Sequence, residues 1–176
     1  MSRRNELNSK QMKNFLLVTV MALIIITSSI SCSKDSPEPS LLKYEIALDT
    51  FVATLVANPP DSTSLALRVK EYLLAQNDNF FGATVTLLDN EGVATYSPYW
   101  YRLNDTLGYK NLAEASYQIN EQSWLRLPID EGNAIWTAPY FDDGGGEIWM
   151  RTRSVPVYIN SVIFGVATTD IEINNP

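Results

Sequence analysis

Seven side chains between Trp124 and Asp170 carry most of the chemistry this sequence can offer: Trp124, Trp136, Tyr140, Asp142, Arg151, Arg153 and Asp170. Indole and phenol faces attract cations, a carboxylate pairs with one, and a guanidinium grips an anion. Such a set suits recognition of a small charged molecule. What is missing narrows the choice. The chain contains no histidine and a single cysteine, Cys32, which removes Ser–His and Cys–His catalysis and ordinary zinc sites. Gly144-Gly145-Gly146 lies between two strand-like runs and reads as a turn, not as a phosphate loop opening a helix. Asp142, Asp143 and Glu147 lack the spacing of a calcium loop. No metal, no cofactor and no enzymatic reaction are expected. The competing reading makes Trp124, Trp136 and Tyr140 core rings and Asp170 a structural hydrogen-bond acceptor.

These residues need a scaffold. Three runs rich in β-branched and aromatic residues, 135–140, 147–157 and 162–170, are separated by turn-forming stretches, DDGGG and Ile159-Asn160-Ser161. Loops this short predict an antiparallel meander. Alternation places Trp149, Arg151 and Arg153 on one face of the middle strand. Upstream, 81–88 and 93–96 flank Asp89-Asn90-Glu91-Gly92 and predict a hairpin. The aromatic stretch 96–101 reads as a loop folding its rings over the sheet, or as a stacking surface for a ligand. Residues 41–57 predict a helix with Leu42, Ile46, Val52, Ala53 and Val56 inward and Ser40 as N-cap. Asn58-Pro59-Pro60 ends it, and a second helix follows Asp61 or Ser62 with Leu65, Val69, Tyr72 and Leu73 inward. Mild helical character over 111–122 would deliver Tyr117 and Trp124 towards the meander.

The ordered pieces Trp124, Trp136-Thr137-Ala138-Pro139-Tyr140, Asp142, Ser154-Val155-Pro156-Val157, and Gly165-Val166 with Asp170 resemble the Cache sensor domain, also called the PDC sensor domain, over roughly residues 62–172. The resemblance implies an α+β fold, a single PAS-like domain of 41–176 with N-terminal helices packed on a five- to six-stranded antiparallel sheet. In that family a long N-terminal helix runs beside the sheet, whereas the proline pair splits it here. The resemblance also implies a ligand pocket. In amino-acid-binding members an Arg grips the ligand carboxylate, and an Asp with aromatic rings holds its ammonium. Tyr117, Trp124, Tyr140 and Asp170 match the ammonium half, while Gln122 stands where the Arg is expected and Leu125 where a second aromatic is. Arg126, Arg151 or Arg153 would have to replace it. With Trp136 and Asp142, the candidate ligand-binding set is Tyr117, Gln122, Trp124, Arg126, Trp136, Tyr140, Asp142 and Asp170, and the favoured ligand is an amine or other cation, with amino acids and small carboxylates behind it.

The N-terminus predicts export. Arg3, Arg4, Lys10 and Lys13 precede an uncharged apolar run, 15–26, and small residues lead to Ser29-Ile30-Ser31-Cys32. This is a signal peptide over 1–31, and its end resembles a bacterial lipobox with Cys32 as the lipidated residue. An uncleaved anchor over 15–30 or a plain secreted protein are the alternatives. Residues 32–40, SKDSPEPS after the cysteine, form a polar tether. Nine basic and nineteen acidic residues follow the leader, a net charge near −10, so nucleic acid is not an expected partner. The expected picture is an extracytoplasmic, lipid-anchored protein of the cell envelope that binds a small molecule and acts through a signalling or transport partner. A structural or adhesive lipoprotein with the same fold and no ligand is the alternative.

Overall fold

The computed structural model describes residues 41–176; the leader, Cys32, the tether and the Ser40 cap lie outside the described residues. The described residues fall within one compact unit. Helix α1, Leu42–Ala57, begins at Leu41 without a side-chain cap and buries Tyr44, Leu48, Phe51 and Leu55. That spacing is one helical face, but not the expected one. Leu42, Ile46 and Val56 are exposed instead. The helix is apolar on several sides, and its two aromatic rings decide the orientation. Tyr44 packs on Phe80 and Phe51 stacks on Tyr72, with centroids 4.4 and 4.5 Å apart; such rings bury more area than isoleucine or valine. Helix α2, Ser62–Leu74, is capped by Asp61, whose carboxylate accepts from the Ser64 amide, and buries Leu65, Val69, Tyr72 and Leu73 as the pattern predicts.

The sheet contains β1 (Gly82–Leu88), β2 (Ala94–Tyr96), β3 (Pro98–Leu103), β4 (Thr106–Asn111), β5 (Ile135–Trp136), β6 (Tyr140–Phe141), β7 (Trp149–Ile159) and β8 (Val162–Glu172). All pairings are antiparallel, in the order β4-β3-β1-β8-β7-β5, with β2 beside β1 and β6 beside β7. The α+β class and the helices-on-sheet arrangement agree with expectation, while eight strands replace five or six. The run 135–140 breaks into β5 and β6 around Pro139, which has no amide to offer a ladder. The aromatic stretch after Ser97 is not a loop but β3, paired along its length with β4.

Alternation divides the sheet into two faces. Ala83, Val85, Val157, Ala167 and Ile171 join the core under α1 and α2. The opposite face carries Thr84, Thr152, Thr168 and Asp170, and beside it Tyr99, Leu112, Tyr117, Ile119, Trp124, Leu125 and Val166 form a second, smaller core. No helix among the described residues is long and apolar enough to cross a membrane.

Candidate functional site

Asp170 lies on the central strand β8, opposite Thr152 of β7 and Gly82 of β1. Its side chain leaves the face away from α1 and α2 and is 3% exposed. The Thr152 hydroxyl donates to Asp170 Oδ1 at 2.8 Å. With that single proton committed, the Tyr140 hydroxyl must donate to Thr152, also at 2.8 Å. Gly82 is required beside them. A Cβ there would collide with the Tyr99 hydroxyl and come within 2.8 Å of Asp170 Oδ2.

Tyr117 and Trp124 reach the same place from the other side. The expected helix over 111–122 is instead two single 3-10 turns, Ala115–Tyr117 and Ile119–Glu121. Gln118 between them adopts a left-handed conformation, φ 51°, and redirects the chain. Helix α3, Ser123–Glu131, follows and buries Trp124 and Leu125. The Trp124 indole N–H donates to the Tyr117 hydroxyl at 3.1 Å, and that hydroxyl donates to Asp142 Oδ1 at 2.5 Å.

Loop 142–147 closes the site. The Asp142 carbonyl accepts from the Gly145 and Glu147 amides, and its carboxylate accepts from the Gly146 amide. The Asp142 carboxylate lies so near the Gly145 backbone that a Cβ there would overlap it. The triple glycine is therefore more than a turn: bare backbone is what lets the loop wrap a carboxylate. Lys110 ties the loop down, donating to the Gly144 and Gly145 carbonyls at 2.9 and 2.6 Å.

Between these groups is a small cell of about 10 Å³, lined by Tyr99, Tyr117, Trp124, Tyr140, Asp142 and Asp170 together with Thr84, Thr168 and Leu112. That is room for about one water molecule. The Tyr99 hydroxyl borders it and makes no hydrogen bond, although Asp170 is close by. Burial pushes the Asp170 carboxyl up to about 7, aided by the charge of Asp142 and opposed by the hydroxyls of Thr152 and Tyr99. Burial likewise raises Asp142, against hydrogen bonds from Tyr117 and Gly146 and the charge of Lys110. Burial, and then the two carboxylates, also push the Tyr99, Tyr117 and Tyr140 hydroxyls up, so all three remain neutral donors. Among the described residues, neither Asp142 nor Asp170 makes an ion pair.

Five of the eight candidate residues thus converge: Tyr117, Trp124, Tyr140, Asp142 and Asp170. Three do not. Gln122 donates to the Tyr117 carbonyl. Arg126 reaches the Gly92 carbonyl and Asp130. Trp136 belongs to the α1 side of the sheet, where its indole donates to Glu45 and Arg151 sits 5.5 Å over its ring. Arg153 pairs with Trp136 across the ladder, so neither arginine of β7 faces the cell. We expect Arg126→Ala and Arg151→Ala to shift ligand affinity by less than about twofold in equilibrium titrations, since neither side chain approaches the cell. A tenfold loss on either would return the anion grip to that arginine. Thr152 and Gly82 were not signalled by the sequence. Tyr99 stood in a conspicuous aromatic run, but only the β3–β4 pairing aims it inward.

A wider open groove, about 1130 Å³, lies along Trp100, Tyr101, Arg102 and the 103–107 turn. Its cations are already engaged. Arg102 donates to the carbonyls of Phe80, Leu73, Gln76 and Asn77, and Lys70 sits over Trp100. The cell, where unpaired buried charge converges, is the stronger site.

The family model for the methyl-accepting chemotaxis protein-like first PDC sensor domain matches residues 67–175, more than half of the chain. No curated protein matches. Among solved structures, the extracellular domain of a protein assigned as a histidine kinase aligns with TM-score 0.63 at 23% identity, covering 76% of this chain and 53% of that one. A Campylobacter jejuni chemoreceptor ligand-binding domain, in complex with 4-methylisoleucine, aligns with TM-score 0.56 at 17% identity, covering 74% and 50%. The ligand-binding domain of a Pseudomonas aeruginosa amino-acid chemoreceptor, in complex with GABA, gives 0.52 at 17%, covering 75% and 56%. The chain spans about half the length of these structures, and at such identities the likeness is one of fold.

Proposed function

The chain belongs to the family of methyl-accepting chemotaxis protein-like first PDC sensor domains, and on that premise we propose that it is an extracytoplasmic sensor that binds a small molecule through a protonated amino group. The observation that carries this reading is the pair of buried carboxylates, Asp142 and Asp170, around one cell with no cationic side chain paired to either. A buried carboxylate without a cation is costly, and a ligand ammonium would relieve that cost. Trp124 and the tyrosine rings add cation–π attraction, roughly 0.5–2 kcal/mol each. Two of the structural neighbours were solved with amino-group-bearing ligands, GABA and 4-methylisoleucine. No arginine enters the cell, so a carboxylate on the ligand is not gripped there as the resemblance implied.

In this reading the protein binds without catalysing, Cys32 carries lipid after cleavage of 1–31, residues 33–40 tether the domain to the cell envelope, and a partner protein relays or receives the ligand. A second reading keeps the fold and drops the ligand, as a structural or adhesive lipoprotein. The observation that favours it is the size of the cell, which holds nothing larger than a water until its walls move.

A thermal-shift screen of residues 33–176 against amines, amino acids and small carboxylates separates the two. A binder gains stability as RT ln(1 + [L]/Kd). Shifts confined to ligands with an amino group support the sensor; silence across all three classes supports the structural role. For the anchor, Cys32→Ser is expected to move the protein from the membrane to the soluble fraction. Retention of the variant in the membrane would mean an uncleaved leader.

A further inference from the structure

The cell between Asp142 and Asp170 has an unusual balance of hydrogen-bonding groups. Its volume, about 10 Å³, suits one occupant of the size of a water molecule. What borders it is mostly acceptor. Tyr99 is 1% exposed and lines the cell, and its hydroxyl, short of hydrogen-bond geometry with any other group, has Asp170 as its polar neighbour. Asp170 gives Oδ1 to Thr152, leaving Oδ2 on the side of Tyr99. Asp142 accepts one bond at each oxygen, from Tyr117 and from Gly146, and a carboxylate has lone pairs for about four. The nearest lysine, Lys110, donates to the Gly144 and Gly145 carbonyls.

A water molecule would fill this space but bring only two protons and no charge. A divalent metal would lack its shell, since among the described residues no three Asp, Glu, Cys or His side chains converge. An alkali ion would need a fuller ring of oxygens in place of its hydration shell. An ion of water size, with a positive charge and four protons to donate, matches both the acceptors and the charge.

We propose that the cell is a binding site for the ammonium ion itself, held by Asp142, Asp170 and the Tyr99 hydroxyl oxygen. This rests on the reading of the cell as an amino-group site and sharpens it: free ammonium enters the cell as it stands, whereas a substituted amine requires loop 142–147 to move. Each added methyl group overfills a packed cell, so tetramethylammonium is excluded.

The test is calorimetric titration of residues 33–176 with ammonium chloride, against sodium, potassium and tetramethylammonium chlorides at matched ionic strength. Saturable binding of one ammonium per chain, without equivalent binding of the other three, is the expected result. Tyr99→Phe deletes a hydroxyl whose polar neighbour is the Asp170 carboxyl and which no backbone group uses, so the fold should persist while ammonium affinity falls at least about tenfold. Full affinity in Tyr99→Phe overturns the assigned ligand set. No ammonium-specific signal above sodium means the cell holds only water, and the inference fails. Equal binding of tetramethylammonium also sinks it. If larger amines or amino acids bind and ammonium does not, this inference falls and the broader sensor reading stands; the converse result removes the organic ligand and keeps the ion.

Discussion

Asp170→Asn should make the protein more stable at pH 8 and unable to bind an ammonium group. The carboxyl of Asp170 has an ordinary value of 3.8 and rises to about 7 on burial. Between those values the folded state holds a proton that the unfolded chain has released. Stability from this group is therefore complete at acid pH, declines as pH rises from about 4 to 7, and stays low above. A shift of some three units corresponds to a penalty on the order of 4 kcal/mol above pH 7. Asparagine is uncharged, and its carbonyl can still accept from Thr152 while its amide faces Tyr99. The variant should gain on the order of 2–4 kcal/mol at pH 8, seen as a rise in Tm of several degrees, and nothing at pH 4. Some slope will remain, because burial raises Asp142 in the same direction. Thermal melts across pH 4–8 measure this. A variant less stable at pH 8 than the parent would mean that Asp170 is a structural acceptor whose charge the fold needs. Natural sites that bind a charged ligand often carry such a cost in the free protein.

Gly82→Ala is expected to have the second large effect, and of opposite sign. The new Cβ would collide with the Tyr99 hydroxyl and lie 2.7 Å from its ring carbon Cε2 and 2.8 Å from Asp170 Oδ2. Tyr99 is buried and stacked on Tyr101, with ring centroids 5.4 Å apart, so it has little room to retreat. Overpacking of this kind costs about 1–3 kcal/mol. It also drives the hydroxyl into the cell, so binding should be lost together with stability. Urea midpoints with an unchanged m-value would show the first, and ligand titration the second. Adding Tyr99→Phe should restore part of the stability, because it removes the nearest colliding atom; the coupling between the two substitutions is the diagnostic quantity. A Gly82→Ala protein with unaltered midpoint and affinity would show that Tyr99 yields to the added methyl group without cost.

Several features were legible without coordinates because they depend on neighbours in sequence. Leu65, Val69, Tyr72 and Leu73 fall on one helical face, and the helix they form buries them. Asp61 caps its first turn. The two long strands, β7 and β8, follow from β-branched residues on either side of Asn160-Ser161. The convergence of Tyr117, Trp124, Tyr140 and Asp170 was reachable only through likeness to the Cache family. Other features misled. Apolar residues surround α1, so periodicity alone pointed to Leu42 and Ile46 where ring packing selects Tyr44 and Phe51. Trp136 and Tyr140 belong to one motif four residues apart, yet they serve opposite faces of the sheet, one towards Glu45 and the other towards Thr152.

What the sequence determined by itself is the kind of protein: α+β, antiparallel, without histidine or a second cysteine for catalysis, and with acidic and aromatic side chains gathered late in the chain. Period two and period 3.6 are local properties, and absent residue types stay absent in any fold. Tertiary structure decided which carboxylates are deprived of a cation and how much space lies between them. Asp142 and Asp170 meet across loop 142–147 and β8, and Tyr99 joins them from β3. Charge, volume and burial at such a point are sums over groups distant in sequence, so no local pattern can encode them.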